Sequence, residues 1–372
     1  MKMKTRFLPV ALFLMLALSA GCNGGDDGSQ GSGGDADSDG DSDVGDSGGE
    51  DAGADSDVDG DTDSDTDTDG DGDTDSDTDA DGDADCPILP ADNPWNTDIS
   101  AYPLHPDSDN FIQSIGADGY LHPDFGTEWD GAPIGMPFVI VPGDQPKVDI
   151  EFGYADESDP GPYPIPDDAP IEGGPDSDGD RHVLVLDQDN CLLYETWSTW
   201  PPGTSGNEAS DPSHWYAGSG AKFDLRSNTL RPEGWTSADA AGLPIYPGLV
   251  RYDEVVEKKA INHALRFTVS ASQQGYIHPA THFASSDTNP NLPPMGLRLR
   301  MKASYDCSGY SEEVRVICTA LKKYGMIVAD NGSDWYISGS HDDRWNDDNL
   351  GDLKSVPGSA FEVVDTGEII TK

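Results

Sequence analysis

The chain predicts a mainly β domain, read as an antiparallel sandwich or jelly-roll-like fold with one main helix and long loops. Three observations carry this. Short apolar runs of strand length recur along the C-terminal three quarters of the sequence. Only one segment, residues 311–325, keeps a sustained helical spacing of apolar residues. Between these runs lie long connections rich in Pro, Gly and Asp, which favour many short strands over a helical bundle. No evenly spaced repeat supports a propeller.

The predicted strands are "MPFVIV" (136–141), "RHVLVLD" (181–187), "CLLYETW" (191–197), "HALRFTV" (263–269), "GLRLRMKA" (296–303) and "WYIS" (335–338). "DQDN" between the second and third supplies hairpin-turn residues, so 183–187 is expected to pair with 192–196. In "LRLRM", Leu297, Leu299 and Met301 alternate with Arg298 and Arg300, which predicts one buried face and one presenting guanidinium groups. The helix "SEEVRVICTALKKYG" has Ser311 as its expected N-cap and acidic Glu312 and Glu313 in its first turn. Val314, Ile317, Cys318, Leu321 and Tyr324 form its apolar face, and Gly325 ends it. The longest connection, "YADESDPGPYPIPDDAPIEGGPDSDGD", reads as a stiff cleft wall because of its prolines and tyrosines.

Composition divides the chain into three parts. Residues 1–22 combine Lys2, Lys4 and Arg6 with an apolar run at 7–18, too short to span a membrane and suited to an export signal. Residues 23–85 hold 26 Asp or Glu and no Lys or Arg. Such a segment buries almost nothing and repels itself, so it reads as a disordered tether spanning roughly 45 Å or more. Its DxDxDG pattern (Asp65, Asp67, Asp69, Gly70) begins like a calcium loop, but Ser76 stands where the bidentate Glu belongs. Calcium is therefore a possible weak ligand rather than the centre of a folded module. Residues 86–372 are read as one globular domain.

That domain keeps 45 of the chain's 71 acidic residues and 18 of its 21 basic ones. A net charge near −27 disfavours nucleic acid, which needs positive charge on the protein. Apart from Cys22, four cysteines remain, Cys86, Cys191, Cys307 and Cys318, with no CxxC spacing. An even count in an exported chain points to disulfides. Three pairings are open; Cys307–Cys318 as a local staple and Cys86–Cys191 as a long clasp are favoured.

Candidate chemistry lies in carboxylates beside aromatic residues. Glu195, in the apolar strand "CLLYETW", has the surroundings expected of a general acid with a raised pKa. Glycoside hydrolysis needs a second carboxylate, and Glu172, Asp156, Glu157, Asp159 and Asp330 are on offer. "HPATHF" brings His278 and His282 four residues apart, with Pro279 preventing a regular helix between them. Extended, they would stand about 13 Å apart, too far for one metal ion unless the chain turns. They are read as cleft-lining groups, with structural roles as the plain alternative. His182 and His263, each at the start of an apolar strip, are expected at a sheet rim. Trp197, Trp200, Trp215 and Trp335 are candidate sugar-stacking residues, with Tyr276 and Arg298 as further substrate contacts. No nucleophile motif, phosphate loop or HExxH zinc motif is present.

Two resemblances add to this reading. "LSAGC" resembles the cleavage box of bacterial lipoproteins, which implies lipidation of Cys22 and anchoring at the outer membrane or cell surface through that lipid alone. Ser19 departs from the pattern, which usually has a large apolar residue three before the Cys. The globular part resembles an uncharacterised family of exported bacterial proteins through "NPWN" (93–96), "RHVLVLD" (181–187), "GWTSADAAGLPI" (234–245), "LPPMGLR" (292–298) and "YGMIVADNGS" (324–333). No activity follows from it. The combined expectation is a surface lipoprotein acting on extracellular polysaccharide. The first choice is a glycoside hydrolase with paired carboxylates. The alternatives are a lyase with a His278 or His282 base, Tyr276 as acid and Arg298 or Arg300 on a uronate, or a non-catalytic glycan binder.

Overall fold

A computed structural model describes residues 86–371, which fall within one compact unit. The export signal, the lipidation residue Cys22, the acidic tether and its calcium-like loop lie outside the described residues. The unit is mainly β, in mixed sheets with few helices.

In chain order the elements are α1 (Ser108–Ile115), β1 (His122–Asp124), β2 (Glu128–Trp129), β3 (Ala132–Pro133), β4 (Phe138–Val141), β5 (Ile150–Phe152), β6 (Val183–Asp187), β7 (Leu192–Trp197), β8 (Trp215–Ala217) and β9 (Ser219–Asp224). β10 (Leu265–Val269), β11 (Arg298–Met301), α2 (Glu312–Lys323), β12 (Met326–Asn331), β13 (Tyr336–Ser338), α3 (Asp347–Leu350) and β14 (Phe361–Val363) follow. One sheet has six strands in the order β1-β13-β10-β12-β11-β14; another has four in the order β4-β6-β7-β9. Two-stranded pairs β2-β3 and β5-β8 complete the set.

The antiparallel expectation needs correction. β1 with β13, β10 with β12, β4 with β6, and β5 with β8 all pair in parallel. Periodicity reports burial, not strand direction, so these crossovers leave no local signal. The β6–β7 hairpin does pair antiparallel, Val183 opposite Thr196 and Asp187 opposite Leu192.

Alternate residues of the four-stranded sheet serve two cores. Leu184, Leu186 and Leu193 join the main cluster, which also takes in Leu265, Phe267 and Leu299 of the six-stranded sheet. Val183, Val185 and Tyr194 face a second cluster built from Tyr163, Ile165 and Ile171 of the long connection and Trp215 of β8. Burial on both faces explains why β6 reads as an unbroken apolar run. The long connection is thus pinned to the sheet by its aromatic and isoleucine side chains.

Helix α2 buries Val314, Ile317, Cys318 and Leu321, as its spacing predicts. Ser311 holds the N-cap position, but its hydroxyl donates to the Asn349 carbonyl instead of capping. Gly325, at φ +71°, is required: a Cβ there would stand 2.0 Å from the Leu299 carbonyl oxygen. Cys307 and Cys318, and Cys86 and Cys191, stand at disulfide distance, with Cα separations of 6.6 and 5.3 Å.

The arginines of β11 are also a correction. Arg298 is buried, and donates to the carbonyls of Tyr324, Pro94 and Thr97. Arg300 pairs with Glu362 at 2.8 Å and donates to the carbonyls of Ile99, Ser100 and Tyr102. Both guanidinium groups fasten the N-terminal segment to the sheet. The Tyr324 carbonyl lies at the C-terminus of α2, where the helix dipole favours a cation.

Candidate functional site

A charged cluster occupies the space between the two large sheets. Its centre is Arg266, on β10 and 2% exposed, which grips Asp239 with Nε to Oδ2 at 3.0 Å and Nη2 to Oδ1 at 2.9 Å. Nη1 donates to the Ser338 hydroxyl of β13 at 2.5 Å. Asp330 Oδ2, on β12, stands 3.7 Å from Nη2.

A register shift aims Asp330. β10 and β12 pair Phe267 with Val328 but Thr268 with Asp330, so one residue of β12 is bulged out. Paired residues point to the same face and successive residues alternate, so the shift turns Asp330 onto the face shared by Thr268 and Arg266. Asp124 reaches the same face from β1, because it pairs with Ser338 and Ser338 bonds Arg266.

The four-stranded sheet contributes the opposite wall. His182, 2% exposed, meets Glu172 through Nδ1 at 2.6 Å and the Ala238 carbonyl through Nε2 at 3.1 Å. Burial alone would lower the His182 pKa, but the Glu172 carboxylate outweighs it and holds it at about 9. The imidazolium therefore donates to both partners. Glu172 is lowered: burial would raise it, but His182 overrides that.

Two partly exposed carboxyl groups of the cluster are held above the ordinary carboxylate range. Asp330, with its side chain 27% exposed, is pushed up to about 7 by burial first and by Asp239 second, with Arg266 opposing. Asp124 is raised by burial and by Glu172, again with Arg266 opposing. The Glu172 side chain is 25% exposed and Asp180 is exposed. The indole of Trp197 donates to Asp180 at 3.0 Å, which sets an aromatic residue on the rim. A proton-bearing carboxyl with an accessible edge, near other carboxyl groups and backed by a fixed cation, is equipped to give and take a proton near neutral pH.

The residues singled out from sequence are distributed unevenly. Glu172 belongs to the cluster. Glu195 has no exposed surface, and its carboxylate accepts from the backbone N–H groups of Ile245 and Tyr246. Burial raises it to about 7, but it faces protein on all sides. Asp156 is exposed on the loop before Asp159, which pairs with Arg231 at 2.6 Å. Trp197 and Trp200 remain half-buried, Trp200 under the Arg181 guanidinium at 3.8 Å. Trp215 and Trp335, 3% and 1% exposed, fill cores and present no ring to a ligand.

A second grouping takes in His278 of "HPATHF" and leaves His282 apart. Glu233 bridges Tyr276 and His278, accepting from the Tyr276 hydroxyl and standing 2.7 Å from His278 Nε2. Burial and Glu233 raise Tyr276 to about 12. His278 lines a cavity of about 240 Å³ with Arg298, whereas His282 turns to the Ala240 carbonyl at 2.9 Å. His278 and His282 do not converge, and no group of three metal-ligating side chains forms among the described residues. His263 is tied to Glu254 at 3.0 Å.

Sequence reasoning missed Asp124, Asp239 and Arg266. Arg266 left a signal, a cation inside an otherwise apolar strand, which needs a buried partner. The chain matches no family model, no curated protein and no solved structure.

Proposed function

We propose that this domain is an extracellular glycan-cleaving hydrolase, with Asp330 as general acid and Asp124 as the partner carboxylate. The observation that carries the reading is Asp330 itself: partly exposed, pushed up to about 7, and sharing the charges of Arg266 and Asp180 with Asp124. Glycosidic cleavage needs one protonated and one ionised carboxyl. The raised Asp330 supplies the first, and Asp124, paired with Ser338 across β1 and β13, supplies the second once ionised. Arg266 and the His182 imidazolium hold the surrounding charge in place. Trp197, on the rim, suits a sugar face.

This reassigns the acid from Glu195, which has no edge for a substrate. It keeps the substrate class expected from the sequence, a polysaccharide. We also read the two large sheets as layers of a sandwich, and the protein as lipid-anchored through Cys22 at the outer membrane or cell surface, with the acidic segment as spacer.

A lyase remains a second reading because Glu233 joins Tyr276 and His278. Arg298 does not favour it, since its guanidinium is taken up by carbonyls. The deciding experiment incubates the protein with neutral and uronic-acid polysaccharides and weighs the products. Oligosaccharides at the hydrolytic mass, lost in Asp330→Asn, support the proposal. Products lighter by one water would move the reading to Tyr276 and His278. Retention on a glycan without products would leave only a binding function.

A further inference from the structure

The longest connection begins at Tyr154 and ends at Asp180, and both ends meet at Trp197. The rings of Tyr154 and Trp197 stand 6.3 Å apart, centroid to centroid, with 39° between their planes. From the other end, the Asp180 carboxylate accepts from the Trp197 indole at 3.0 Å, and the Asp180 carbonyl accepts from the Ser198 N–H at 2.8 Å. Tyr154 is 55% exposed and Trp197 half-buried, so the two rings present an aromatic surface to solvent. Apolar area left in water gives up hydrophobic stabilisation unless something covers it.

The backbone holds this surface in place. Gly218 donates to the Trp197 carbonyl at 2.8 Å, and its own carbonyl accepts from the Tyr154 N–H at 2.8 Å. A Cβ at Gly218 would fall 2.3 Å from Cε3 of Trp197, so a glycine is needed for the indole to lie against the chain there. Ser158 donates to the Tyr154 carbonyl at 2.8 Å and accepts from the Gly220 N–H of β9 at 3.1 Å. Rings fixed before a ligand arrives lose little freedom on binding it.

The aromatic surface adjoins the carboxylate cluster. Asp180 lies two residues before His182, which bonds Glu172 at 2.6 Å. The charge of Asp180 acts on Asp330, Asp124 and His182. Tyr216, hydrogen-bonded to Glu208, lies within electrostatic reach of Tyr154. Asp180 and Glu208 are both exposed. Arg181, by contrast, is 1% exposed and turns inward to the carbonyls of Thr199, Pro175 and Ser177.

We propose that Tyr154 and Trp197 form a subsite that stacks a sugar ring of a chain free of acidic groups and leads that chain toward the Asp330 cluster. The rings take up the apolar face of the sugar, and Asp180 and Glu208 accept from its hydroxyls. The same acidic side chains repel a uronate carboxylate. The inference rests on the glycan reading above but not on Asp330 being the acid.

The test uses the protein carrying Asp330→Asn, so that the ligand survives, and titrates it calorimetrically with cellohexaose, xylohexaose, chitin hexamer and hexagalacturonate. At least one of the neutral oligosaccharides should bind, and hexagalacturonate should not. Tyr154→Ala, a surface change whose fold is checked by its melting temperature, should weaken that binding about tenfold, as loss of one stacked ring predicts. Tyr154→Phe keeps the ring and should bind like the parent. Equal affinity in Tyr154→Ala and the parent, or hexagalacturonate bound as tightly as a neutral chain, overturns the subsite and leaves the glycan reading intact. Neither binding nor cleavage of any of these chains overturns both. Turnover persisting in Asp330→Asn while Tyr154→Ala still weakens binding would remove the acid assignment and support the subsite.

Discussion

Arg266 and Asp239 form a two-point ion pair at 2.9 and 3.0 Å with neither side chain more than 3% exposed. This pair controls the proton on Asp330. Asp239 neutralises most of the Arg266 charge, so the cation 3.7 Å from Asp330 cannot offset burial, and the Asp239 carboxylate adds its own repulsion. An arginine beside an aspartate normally lowers its pKa; here the arginine is already engaged.

Asp239→Asn should therefore lower the Asp330 pKa. Repulsion disappears and Arg266 becomes free to stabilise the ionised form. The alkaline limb of any activity should move down from about 7, measured as the pH dependence of kcat/KM. Breaking a buried pair also costs about 3–5 kcal/mol of stability, so the profile is read well below the unfolding temperature. A limb that stays near 7 would contradict this account of Asp330.

His182 gives the protein a stability that falls with alkaline pH. Its folded pKa, about 9, lies above the unfolded value near 6.5. The group's contribution is thus complete below about 6.5 and lost as pH rises through about 9. The loss should reach about 3 kcal/mol, and His182→Gln should flatten it. Urea unfolding at pH 6 and pH 9 measures both. Equal slopes in variant and wild type would show that Glu172 does not hold the proton there.

Glu195 should act on stability and not on turnover. Its pKa is raised from 4.5 to about 7, so its contribution is present below 4.5 and lost as pH rises through about 7. Glu195→Gln carries no charge to bury. Relative to wild type it should gain up to about 3 kcal/mol between pH 4.5 and 8, whatever fixed cost its amide meets at the Ile245 and Tyr246 N–H groups. Denaturant midpoints at the two pH values test this, and a constant difference would reject it.

The Cys86–Cys191 bridge closes a separation of 105 residues, the Cys307–Cys318 bridge one of 11. Loop-closure entropy assigns the long clasp up to about 4.7 kcal/mol and the short staple about 3 kcal/mol or less. Cys86→Ser paired with Cys191→Ser should lower the melting temperature more than the corresponding change at Cys307 and Cys318. The reverse order, by calorimetry, would mean that the denatured chain is not what the clasp restrains.

What could be read beforehand was local. β6, β7, β10 and α2 were legible because each pattern matches its own burial, and the 183–187/192–196 hairpin because its turn is four residues long. The parallel pairings were hidden, since β12 reaches β10 only after a detour of more than fifty residues. Asp330 was visible as a carboxylate beside an apolar strand, yet its orientation depends on a one-residue bulge against Thr268 that no periodicity reveals. Glu195 misled for a physical reason. Apolar neighbours do raise a carboxyl pKa, but the same burial removes the edge a substrate needs.

Asp330→Asn separates proton transfer from structure. The amide keeps size and hydrogen-bonding capacity but cannot donate a proton to a leaving oxygen. General acid catalysis is worth about 10²–10⁴-fold, so kcat on a polysaccharide should fall by that factor. A substrate with an acidic aryl leaving group needs little protonation and should lose far less. In the wild type, activity should fall as pH rises through about 7, where Asp330 ionises, and should fall again on the acid side as Asp124 takes up its proton. Stability should move oppositely from activity in the variant. A raised carboxyl contributes below the unfolded value near 3.8 and loses that contribution up to about 7, so Asp330→Asn should be relatively more stable at pH 8. Should both substrates lose activity equally while stability is unchanged, Asp330 would be holding the cleft and not donating the proton, and the acid would have to be sought at Asp124.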